Sequence, residues 1–172
     1  MRRLSYAALM AALGLTGVYA ETIPNFEVLT LVVFVSGVLL GARDGSLVGM
    51  VTMSIYSLLN PYGAAHPLVT LAQVAGEALA GAAGGVAARL GLGRARAMVR
   101  AAVLVGLGVA LTAVYDALTN LATGVLFGQL RATMIGGIPF ALWHMGTNAA
   151  LFGTLGVPLV GVLESYRPRL SL

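Results

Sequence analysis

The sequence predicts an all-α membrane protein, a single domain over residues 1–172 folded as a compact bundle of six transmembrane helices with both termini in the cytoplasm. Three observations predict this. Of the 172 residues, 59% are hydrophobic and only 9% are charged, against about a quarter charged in an ordinary soluble domain. The mean hydropathy is +0.93. A bilayer core is about 30 Å thick and takes about 20 apolar residues per helical span, so the chain holds at most about six or seven spans joined by short loops. No length is left over for a soluble catalytic domain.

The spans are expected near 4–20, 26–42, 46–60, 67–91, 98–127 and 137–165. The first begins after Arg2 and Arg3 and carries Ala7, Ala8, Ala11 and Ala12, a small-residue face suited to close helix packing. It also has the form of a secretory signal ending at Val18-Tyr19-Ala20 before Glu21; the alanine face favours a retained helix. Thr22-Ile23-Pro24-Asn25 separates it from the second span, and Gly41-Ala42-Arg43-Asp44-Gly45 separates the second from the third. Asn60-Pro61-Tyr62-Gly63 precedes the fourth, Gly91-Leu92-Gly93-Arg94 follows it, and Gly136-Gly137-Ile138-Pro139 opens the sixth. In lipid each backbone group must be satisfied within its own segment, which makes these runs helices. On the fourth span Ala72, Gly76, Ala80 and Gly84 recur every four residues, a packing stripe.

All ten basic residues are arginine. With six spans, Arg2, Arg3, Arg43, Arg89, Arg94, Arg96, Arg100, Arg167 and Arg169 fall on one side and Arg131 on the other. Positive loops stay in the cytoplasm, which orients the chain and puts residues 21–26, 61–66 and 128–136 outside. Arginines that fringe apolar helices act as topology signals, so no nucleic-acid partner is expected; the partner is the lipid of the cell membrane. The absence of lysine excludes a Walker A loop and Schiff-base chemistry. The absence of cysteine excludes thiolate metal sites and disulfides. Neither a cofactor nor a resident metal is expected.

Ionisable groups inside a span are functional candidates. Three pairs share a helix face at i, i+4 spacing: Gln73 with Glu77, Asp116 with Asn120, and His144 with Asn148. Counting about 1.5 Å per residue from the outer helix ends, Glu77, Asp116 and Asn148 lie roughly 15 Å deep, with Gln73, Asn120 and His144 about 10 Å deep. Such residues often serve as hydrogen-bonding glue between helices. Three pairs at matched depth, beneath a rim of Asn60, Tyr62 and His66, predict instead a ligand chamber open to the outside. Trp143 and Tyr115 adjoin it in sequence and could stack on a flat ligand, and the carboxylates suit one rich in N–H donors or positively charged.

These features resemble the substrate-binding S components of energy-coupling factor (ECF) vitamin transporters. Ala8-Leu9-Met10-Ala11-Ala12 is similar to the AxxxA segment of that family's first helix. Pro24-Asn25-Phe26-Glu27, Leu40-Gly41-Ala42-Arg43-Asp44-Gly45 followed by Gly49, and Asn60-Pro61-Tyr62-Gly63 look like its first outer loop, inner turn and gating loop. The resemblance implies high-affinity capture of a vitamin or vitamin precursor at the outer surface. Energy would come from a separate T component and two ATPase subunits. It further implies that Ala7, Ala8, Ala11 and Ala12 dock the T component and that Asn25, Asn60, Tyr62 and His66 gate. Gln73, Glu77, Asp116, Asn120, Trp143, His144 and Asn148 would contact the substrate. Thiamine-like, pyrimidine-like and corrinoid ligands all remain open, while the absence of histidine in the first twenty residues departs from the metal-transporting relatives.

Two other functions compete. A stand-alone secondary transporter or channel for a small polar solute would also place polar groups within the membrane, although polar groups here concentrate in the outer half. An intramembrane hydrolase could use His144-Met145-Gly146-Thr147-Asn148, an HxxxN pattern. The paired glutamates and second histidine motif of such proteases are missing, so a transport protein without catalytic residues is expected.

Overall fold

The computed structural model of the protein describes residues 2–23 and 25–170, without the side chains of residues 169 and 170. Pro24 of the expected first outer loop and the side chain of Arg169 therefore lie outside the described residues. The elements are α1 (Arg2–Tyr19), α2 (Leu29–Leu40), α3 (Ala42–Leu58), α4 (Pro67–Arg89), α5 (Ala97–Leu126), α6 (Leu130–Gly136), α7 (Ile138–Leu151) and α8 (Val157–Tyr166). Among the described residues there is no strand. A π-helical turn at Phe152–Gly156 joins α7 to α8, giving one 29-residue helical rod, Ile138–Tyr166.

That rod, α4 and α5 are long and apolar enough to cross a bilayer. By length and composition this is a membrane protein. α1 and α3 are helices where the sequence expects them, but fall outside this group of long apolar helices. Large apolar side chains also face outward around the bundle, among them Leu9 and Leu13 of α1, Leu71 and Leu79 of α4, Val103 and Leu121 of α5, and Leu155 of the rod.

The second expected span, 26–42, is shorter as a helix. α2 has 12 residues, about 18 Å at 1.5 Å per residue. Its start is fixed by Glu27, whose Oε2 accepts the Leu29 N–H. Its end is fixed by Gly41, whose φ of 96° is open to glycine but strained for other residues. The chain reverses there directly into α3. All 12 residues of α2 are buried, which makes it the central post against which α1, α3, α4 and α8 pack.

α2, α3 and α4 meet backbone to backbone. A Cβ added at Gly37 would lie 1.9 Å from the Gly81 carbonyl oxygen, and one at Gly81 would lie 2.1 Å from the Gly45 carbonyl oxygen. The expected stripe on α4 divides between neighbours: Gly76 faces the Tyr115 ring of α5, and Gly84 faces the Phe34 carbonyl of α2. A second packing centre joins α2 to the long rods through Phe34 and Phe152, whose ring centroids are 5.3 Å apart, with Leu31, Leu104 and Val160 around them.

Arginines tie one end of the bundle together. Arg3 at the start of α1 forms an ion pair of 2.7 Å with Asp44 at the start of α3 and donates to the Leu40 carbonyl at the end of α2. Arg100 near the start of α5 donates to the Gly93 carbonyl at 2.8 Å, and Arg167 lies 3.8 Å from Glu164 just beyond α8. The opposite end encloses a cavity.

Candidate binding cavity

The cavity has a volume of about 620 Å³ and lies between the end of α1, the loop before α2, the end of α3, the start of α4, the end of α5 and the start of α7. Small-molecule sites commonly measure about 300–1,000 Å³. Of the expected substrate-binding residues, Gln73, Glu77, Asp116, Asn120 and His144 line it; of the expected gating residues, Asn25, Asn60 and Tyr62 do.

A line of acid and base groups crosses one wall. His144 Nδ1 is 3.0 Å from Asp116 Oδ1. When Asp116 is ionised its carboxylate only accepts and Nδ1 is the donor; Nε2 lies 4.0 Å from Glu27 Oε1. The Thr30 hydroxyl lies 2.9 Å from Glu77 Oε1 and 3.3 Å from Glu27 Oε1. Thus α4, α2, the loop before it, α7 and α5 are connected in sequence from Glu77 through Thr30, Glu27 and His144 to Asp116. The position of Glu77 is set by close backbone packing, since a Cβ at Gly49 of α3 would stand 2.4 Å from the Glu77 carbonyl oxygen.

On the adjoining wall the Ser57 hydroxyl donates to Gln73 Oε1 at 2.8 Å. Tyr115 stands edge-on to His144, with ring centroids 6.1 Å apart. Tyr19 and Tyr56 add a T-shaped pair at 5.5 Å, and Phe140 closes the α7 side. At the rim, Asn25 takes a left-handed φ of 61°, which asparagine tolerates better than most residues. Its N–H donates to Glu21 Oε1 at 2.6 Å, and its carbonyl accepts from the Thr147 hydroxyl at 2.6 Å. Burial raises the Glu21 carboxyl above its ordinary pKa of 4.5, against the lowering effect of the Asn25 hydrogen bond.

Three expected residues stand outside the lining. Trp143 is 52% exposed on the outer surface of α7, because neighbours on a helix point about 100° apart. His66 is exposed and caps α4, its Nδ1 accepting the Leu68 N–H at 3.2 Å. Asn148 is fully buried, with both amide atoms lacking a hydrogen-bond partner, and packs its backbone against Gly108 of α5. His144 therefore takes the level beside Asp116 that depth counting gave to Asn148. The count took the start of α7 as level with the outer ends of α4 and α5, whereas α6 comes between α5 and α7 and leads into α7 through Gly137.

Among the lining residues that escaped the sequence reading as site residues are Glu21, Glu27, Thr30 and Tyr56. The available signal was charge placement. Glu21 and Glu27 sit in a loop with no arginine, which the expected topology puts opposite nine of the ten arginines.

Fold and site together define a helical membrane protein with an acidic, aromatic-walled cavity at one end. No family model, curated protein or solved structure matches the chain.

Proposed function

We propose that the chain is the substrate-binding S component of an ECF-type transporter. In this reading six helices span the cell membrane, both termini and the arginine-rich end face the cytoplasm, and the cavity opens outward to capture a water-soluble vitamin or vitamin precursor. A separate T component and two ATPase subunits supply the energy that this chain, without a Walker A lysine, cannot. No catalytic role is assigned to it. The observation that carries the reading is the cavity of about 620 Å³ lined by Gln73, Glu77, Asp116, Asn120 and His144, at the end away from the Arg3–Asp44 pair. α1 fits the coupling role, since Ala8 and Ala12 face outward while Ala7 and Ala11 pack inward.

The test is co-expression with candidate T and ATPase subunits, co-purification, and vitamin uptake into proteoliposomes with and without ATP. A stable complex and ATP-dependent uptake are expected. A second reading, a stand-alone carrier coupled to protons, is favoured by the line from Glu77 to Asp116, which sets titratable groups and one hydroxyl no more than 4.0 Å from their neighbours. Uptake by the isolated chain under an ion gradient would replace the S-component reading with this one.

A further inference from the structure

We infer that the cavity selects an organic cation, held between Glu77 and Asp116, and rejects neutral and anionic molecules of similar size. The inference rests on the cavity being a binding site, and is independent of what supplies the energy.

Charge placement is the first support. The chain contains six acidic residues. Two stand outside the cavity, and each has an arginine partner: Asp44 with Arg3 and Glu164 with Arg167. The other four, Glu21, Glu27, Glu77 and Asp116, line the cavity, and among the described residues no arginine joins them there. Among the described residues the one basic group in the wall is His144. With its ring protonated, three negative charges would remain if all four carboxylates are ionised. A buried charge is costly unless it is paired.

The second support is unfilled bonding capacity. Glu77 is 2% exposed, and its Oε2 has no hydrogen-bond partner; Asp116 Oδ2 is likewise buried and unpartnered. Both belong to the lining, on α4 and α5 respectively. These are acceptors waiting for donors on two walls of one chamber. A ligand carrying N–H groups or a delocalised positive charge satisfies both. Tyr115 and Tyr56 supply ring surfaces of the kind that attract cations.

The cation is organic rather than a bare metal ion. Among the described residues no three carboxylate, imidazole or thiol groups converge as metal ligands. The acidic groups are instead strung from α4 to α5, and the volume is that of a small molecule. A protonated amine, amidine or cationic heterocycle with aromatic or aliphatic bulk meets these conditions.

The test uses the full chain in lipid nanodiscs. It is incubated with an equimolar mixture of size-matched primary amines, quaternary ammonium compounds, cationic heterocycles, neutral amides and carboxylates. Retained compounds are identified by mass spectrometry, and the affinity of the best-retained one is measured by calorimetry. Cations should be enriched at least about tenfold over their neutral isosteres, the factor expected for one charge-assisted hydrogen bond. Glu77→Gln and Asp116→Asn should each weaken the retained cation's binding by a similar factor while keeping a cooperative melting transition. Preferential retention of a neutral or anionic compound, retention of no cation, or undiminished binding in both variants would overturn the inference. A chain that retains cations but never assembles with T and ATPase subunits keeps the inference and removes the S-component reading. One that assembles and takes up an anion does the reverse.

Discussion

Thr30 shows how much of the cavity depends on one hydroxyl. It lies between Glu27 and Glu77, and its single hydrogen is the bond that Glu77 Oε1 receives at 2.9 Å. Thr30→Val keeps the shape and removes the donor, leaving a buried carboxylate oxygen without its partner. The expected cost is about 1–3 kcal/mol of stability, read as a lower melting temperature in detergent, together with weaker ligand binding. The same scale explains what the sequence could disclose. Gln73, Glu77, Asp116, Asn120 and His144 were legible because a polar pair at i, i+4 within an apolar helix has one face and few alternatives. Thr30 was not, since threonine is common in apolar helices and its role depends on where α4 brings Glu77. Trp143 misled because adjacency in sequence was read as adjacency in space.

At the scale of elements, the contact of α2, α3 and α4 should be intolerant of any side chain. Gly81→Ala would put a methyl group 2.1 Å from the Gly45 carbonyl oxygen, and shifting backbone in a packed interior costs about 1–3 kcal/mol or prevents folding. Gly106→Ala on α5 meets nothing within 4 Å and should be neutral or stabilising by up to about 1 kcal/mol through helix propensity. Thermal melting of the two variants separates packing from composition. The positions of six helices were legible from hydropathy and turn residues. α6 and the π-helical turn were not. The turn precedes Pro158, which has no N–H for the carbonyl four residues earlier and whose ring crowds it; the widened turn at Phe152–Gly156 accommodates both. Sequence marks the proline but not whether the helix bends, breaks or widens there.

At the scale of the molecule, the two faces of α1 should separate binding from transport. Ala7 and Ala11 pack beside Met10, Val32 and Leu39, whereas Ala8 and Ala12 face outward. The double variant Ala8→Leu, Ala12→Leu should therefore bind ligand normally in detergent but lose ATP-driven uptake, measured on the same preparation. Equal loss of both activities would count against a docking face. Bulky residues at 7 and 11 should instead lower stability, and binding with it.

The burial depth of Glu77 has an electrical consequence. It lies ten residues beyond Pro67, the first residue of α4, or about 15 Å along the helix axis, which in the proposed topology, with α4 starting at the outer edge, is about halfway through a hydrocarbon layer of about 30 Å. A unit charge crossing the whole membrane gains about 2.3 kcal/mol per 100 mV. In the proposed orientation, with the arginine-rich end in a negatively polarised cytoplasm, a monovalent cation reaching Glu77 from outside would gain about half of this, which is about sevenfold in affinity per 100 mV. Potassium diffusion potentials imposed on proteoliposomes should shift the apparent Kd by that factor. The resting voltage of the cell would then act as a concentrating device at the mouth of the cavity before any ATP is consumed.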